Sequence, residues 1–111
     1  MKIENKDNYV ILADEYKDIN GFVSFLDYQI PAKFKGQNVV LNLLDYDALI
    51  LEQLIMFMKV NTQHRATKQS FVIVTNTVNP DDIPEELFVV PTLQEAEDII
   101  EMEEIERDLG F

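Results

Sequence analysis

Asn38-Val39-Val40-Leu41-Asn42-Leu43-Leu44-Asp45-Tyr46-Asp47-Ala48-Leu49-Ile50-Leu51-Glu52-Gln53-Leu54-Ile55-Met56-Phe57-Met58-Lys59-Val60-Asn61 is the stretch that decides how this chain folds. Its first part, Val39 to Leu44, is a short and almost unbroken apolar run with β-branched residues, the pattern of a strand covered on both faces. Ten of the thirteen residues from Ala48 to Val60 are apolar, and neither Gly nor Pro interrupts them. That predicts a helix of three to four turns. Asp45-Tyr46-Asp47 is then the turn between a central strand and its helix. In an open α/β sheet ligands and partners gather where strands end in such turns, so Asp45, Tyr46 and Asp47 are candidate contact residues.

Upstream, Tyr9-Val10-Ile11-Leu12-Ala13 reads as a second buried strand ending in the acidic turn Asp14-Glu15-Tyr16-Lys17-Asp18, with Ile3 opening a hairpin partner. Ile19, Phe22, Phe25 and Leu26 fall at helical spacing, which predicts a short helix capped by Asn20 and ended by Pro31. Downstream, Asn61 to Gln69 reads as a polar loop, and its lone His64 as a solvated residue. Ser70 to Thr75 is the next strand. Asn79-Pro80-Asp81-Asp82 and Pro84 leave room for one helical turn at most. Leu87 to Val90 is the last strand. Thr92-Leu93-Gln94-Glu95 is a capping box that opens a helix running to about Leu109, with Gly110 as its stop. The expected fold is α/β: one small domain over residues 1–111, a central mixed sheet of four to five strands with helices packed on it, and a C-terminal helix.

Nine basic against twenty-one acidic residues give a net charge of −12, which repels phosphate backbones and anionic lipid. Nucleic acid and membrane surfaces are therefore poor partners. There is no Cys, and no apolar run approaches the roughly 18 residues of a membrane span. With no apolar leader, the expected location is the cytoplasm. No Gly-rich phosphate loop, His cluster or nucleophile with a neighbouring His marks an enzyme, and no catalytic, cofactor or metal residues are assigned.

The order of these elements, together with Val39-Val40-Leu41-Asn42-Leu43 and the exit through Pro91-Thr92-Leu93-Gln94-Glu95-Ala96, resembles the STAS domains of bacterial anti-sigma factor antagonists. The resemblance spans nearly the whole chain. It implies a non-enzymatic, regulatory protein-binding module whose partner is a regulatory kinase or an anti-sigma-like protein. In that family an Asp-Ser-Ser-Gly-Leu motif follows the strand, and one of its serines is phosphorylated. Here the ungapped positions are Ile50, Leu51, Glu52 and Gln53, followed by a matching Leu54. Glu52 stands where the modified serine belongs, a fixed negative charge in place of a reversible one.

A rival resemblance joins the acids at strand ends, Asp14, Glu15, Asp45 and Asp47, with Thr75 into a receiver-like Mg²⁺ site with a phosphoacceptor Asp. Against it, the span from Glu15 to Asn38 holds one helix where a receiver needs helix, strand and helix. Val90-Pro91 also stands where a Lys-Pro pair belongs.

Two further surfaces complete the candidate partner-binding set. On the long helix Leu49, Met56 and Val60 share the side marked as solvent-facing by Glu52, Gln53 and Lys59, so an exposed apolar stripe is expected there, with Ile50, Leu51, Leu54, Phe57 and Met58 filling the core. On the terminal helix Leu93, Ala96, Ile99 and Ile100 cluster on one side, whereas Met102, Ile105 and Leu109 fall about 150° away. The helix must bend near Glu101, or its second half, residues 102–111, must protrude as an acidic attachment element. The occupant would be a basic partner or a second copy of the chain, giving a homodimer. Removing the residues after Glu101 should then leave the fold intact.

Overall fold

A computed structural model describes residues 1–110. Five short strands, β1 (Lys2–Asn5), β2 (Val10–Ala13), β3 (Val39–Asn42), β4 (Phe71–Val74) and β5 (Phe88–Val90), form one sheet in the order β1-β2-β3-β4-β5. β1 pairs antiparallel with β2, and every later pairing is parallel. The expected mixed α/β sheet is present with β3 at its centre. In a parallel sheet each strand is covered on both sides, which is why β3 and β4 are apolar without alternation. Four helices cover it: α1 (Ile19–Lys33), α2 (Leu51–Ile55), α3 (Met58–Arg65) and α4 (Leu93–Asp108). Among the described residues no helix is long and apolar enough to cross a membrane.

Alternation along the strands sorts the core into two layers. Val10, Leu12, Val39, Leu41, Phe71 and Ile73 face α1, α2 and α3, where Phe22, Leu26, Leu54, Phe57 and Val60 fill the interior. Ile11, Val40, Val72 and Val74 face the other way, onto Ala96 and Ile100 of α4.

α1 differs from its expectation. It runs for fifteen residues, is capped by Asp18, whose carboxylate accepts from Gly21 N, and carries Pro31 inside its last turns. Asn20 therefore lies inside the helix. Of the four apolar residues at helical spacing, Ile19, Phe22 and Leu26 are buried and Phe25 is exposed.

The long helix expected over Ala48–Val60 is also different. Leu49 is buried before any helix begins, its carbonyl accepting from Thr77 Oγ1 at 2.8 Å. α2 opens only at Leu51, where the Gln53 side chain accepts from Ile50 N. At Phe57 the N–H bonds back to Leu54 O, three residues away, and ordinary spacing resumes with Asn61 N to Phe57 O. A tightened turn has about three residues, so Leu54, Phe57 and Val60 can all reach the core, and all three are fully buried.

α3 then continues through residues expected to be a loop. Asn61 donates to Glu86 O, and His64, which is buried rather than solvated, pairs through Nε2 with Gln37 O at 2.6 Å. Polar side chains can line a helix core face when each finds a partner.

Candidate functional site

The carboxyl ends of the parallel strands present two linked loops. After β2, Asp14 accepts from the backbone N–H of Tyr16 and of Asp18, which wraps the chain around Lys17, a residue with φ of +52°. After β3, the turn through Asp45, Tyr46 and Asp47 sends the Tyr46 hydroxyl across to donate to Asp14 Oδ2. Burial raises the Tyr46 pKa, and the hydrogen bond to the Asp14 carboxylate raises it further, so the phenol keeps its proton as donor. Burial alone would push Asp14 up, but the Tyr46 phenol and the two N–H groups more than offset it and hold the carboxyl below its ordinary value.

Asp14 is thus committed to tying two loops together. Asp45 and Asp47 are exposed, and among the described residues no group of three or more acidic, His or Cys side chains is placed to hold a metal ion. Beside Asp14, a groove of about 270 Å³ opens between Met1, Tyr16, Asp18, Gly21, Phe22 and Phe25.

The apolar surface next to these loops is not the expected one. Leu49 and Val60 are buried, so the stripe of Leu49, Met56 and Val60 does not exist as a surface; only Met56 reaches solvent. Ile50, expected in the core, is 54 % exposed, and Ile55 and Met56 are exposed with it. These residues frame Glu52, itself exposed in the first turn of α2. Gln53 is partly buried and occupied with the helix start. The buried positions follow the tightened turn, so a regular helical projection assigns the wrong members of the apolar run to solvent.

At the opposite end of the sheet lies a feature that the sequence reading missed. α4 runs back from the end of β5 as one continuous helix from Leu93 to Asp108, with no break at Glu101. It is fastened by polar side chains to the residues that precede β3 and β4. Arg65 from α3 donates twice to Glu103, at 3.1 and 3.3 Å, and to Phe71 O at 2.9 Å, with its guanidinium 3.8 Å above the Phe88 ring. Ser70 Oγ donates to Glu103. Arg107 reaches Asn38 Oδ1, Ser70 Oγ and Glu104 Oε1, and Asn38 Nδ2 also donates to Glu104. Bonding to Asn38, then to Arg107, holds the Glu104 carboxyl below its usual value despite some burial.

Met102, Ile105 and Leu109 stay on the outer side of α4, 54–66 % exposed, as the break in apolar spacing implied. Gly110, with φ of +82°, ends the helix, and Phe111 lies outside the described residues. The residues after Glu101, expected to be dispensable for the fold, supply partners to the buried Asn38 and Ser70.

Compared with models of known protein families and with characterised proteins, the chain matches none.

Proposed function

We propose that this chain is a non-enzymatic protein-binding module of the anti-sigma factor antagonist type, with a regulatory protein as its partner and no phosphorylatable serine at the start of α2. The observation that carries the reading is the exposed trio Ile50, Ile55 and Met56 around Glu52, set beside the loop of Asp45, Tyr46 and Asp47. Ile50 caps the start of α2, Ile55 is its last residue and Met56 its C-cap, and exposed apolar side chains gathered next to charge make a contact surface. Met56 suits an adaptable contact because its side chain is unbranched and polarizable.

The Tyr46–Asp14 bond supports the same reading, because it holds the surface loops in one arrangement before a partner arrives and lowers the ordering cost of association. The Glu52 carboxylate supplies a permanent charge where the resembling family places a switchable one. The module would therefore bind in a single state, governed by partner supply.

The test is retention of a partner by the tagged chain. Ile55→Asp and Met56→Asp should each release a protein that the unaltered chain and an Ile3→Asp control retain, without a change in melting temperature. Equal retention by all four proteins would exclude α2 as the contact surface.

A further inference from the structure

We propose that the outer face of α4 is a second docking surface, built for a basic amphipathic helix of another protein and unsuited to a second copy of this chain. It stands on α4 alone and does not depend on the α2 surface, which lies at the other end of the sheet.

Met102, Ile105 and Leu109 follow one another at steps of three and four, the a, d, a spacing of a heptad seam. All three are exposed, although the helix is fastened to the sheet by its opposite side. The stripe is therefore held rigidly and presented outward. The flanking e and g positions of the seam are Glu106, Glu101 and Asp108, all exposed. In helix pairing these positions choose the partner through their charges. The one base of α4, Arg107, is turned inward to Asn38, Ser70 and Glu104 and does not relieve the acidity of the outer face.

Charge decides the occupant. A second copy, parallel or antiparallel, would set acid against acid at every flanking position, on a chain whose net charge is already −12. A helix with apolar a and d residues and Lys or Arg at e and g meets both the stripe and its rails. The matched length is little more than one heptad, so the contact is weak and salt-sensitive by itself.

The experiment titrates the isotope-labelled chain with three synthetic three-heptad peptides. One has apolar a and d positions with Lys at e and g; the second has Glu at e and g; the third keeps Lys but has Ser at a and d. Amide shifts should appear with the first peptide only and centre on residues 102–109. Ile105→Asp, at an exposed site that leaves the fold intact, should weaken this binding by about tenfold, and Ile55→Asp should leave it unchanged. The proposal is overturned by equal binding of the Ser peptide, which would mean charge alone, or by binding of the Glu peptide. Absence of shifts at millimolar peptide, or a self-association of the chain abolished by Ile105→Asp, overturns it as well.

Discussion

Replacing Glu103 by Ala removes the acceptor at the centre of the polar fastening between α4 and the sheet. Two hydrogen bonds from Arg65 and one from Ser70 disappear. The side chains of the ion pair are only 22 % and 14 % exposed, which places it between a surface pair, worth about 0–1 kcal/mol, and a buried pair whose broken half costs about 3–5 kcal/mol. Arg65 keeps its bond to Phe71 O and its seat over Phe88, and Ser70 Oγ remains within reach of Arg107. The expected loss is therefore about 2 kcal/mol, or roughly 10 °C in melting temperature for a domain of this size. Urea unfolding of the wild type, Glu103→Ala, Arg65→Met and the double variant should show the two losses falling short of additivity by about 1 kcal/mol. Hydrogen exchange should accelerate most in the last two turns of α4. Strict additivity, or exchange that rises equally in β3 and α4, would refute the claim that this network holds the helix end.

Leu49→Ala should cost about 3 kcal/mol because the side chain is buried, while Ile50→Ala next to it should cost under about 1 kcal/mol; denaturant titration of both decides, and the reverse order would restore the stripe expected from helical projection. Burial holds the His64 pKa below its ordinary 6.5, against the opposing bond to Gln37 O. The unfolded chain therefore takes up a proton first as pH falls, and the stability this His contributes is present above about 6.5 and lost as pH drops toward its folded pKa. Relative to His64→Gln, the wild type should lose stability between pH 7.5 and 5, and parallel curves would contradict this. A Cβ at Gly21 would sit 2.5 Å from Asp18 Oδ2, so Gly21→Ala should displace the cap and cancel its own propensity gain of about 1 kcal/mol. In an Asp18→Ala background the same change should stabilise, as thermal unfolding would show.

The β-strands were legible because their apolar runs are short, branched and bounded by turn residues, and the Thr92 cap because its hydroxyl and Glu95 lie at the required spacing. Thr92 Oγ1 does accept from Glu95 N. The helices were legible in outline only: three were expected, and the one placed over Ala48–Val60 is divided into α2 and α3, the latter running on to Arg65. Asn61 and His64 looked like loop residues because composition cannot announce the carbonyls of Glu86 and Gln37 with which they pair. Leu49 and Ile50 exchanged places because a helical projection assumes a start and a constant pitch, and the chain has neither at that point. Met102, Ile105 and Leu109 were placed on the correct side, but the fastening beneath them uses Asn38, Arg65 and Ser70 from three distant segments. No local pattern joins those residues. A hint was present in Arg107, a single base among the acids of the terminal helix.

Photo-crosslinking in the cell shows whether α2 is a contact surface for another protein. A photoreactive residue in place of Ile55 should give one discrete adduct with a different protein, missing when the same group replaces the exposed Lys2 and lost on adding Met56→Asp. A failure to crosslink, a ladder identical to that from position 2, or an adduct containing only this chain would mean that α2 is not such a surface.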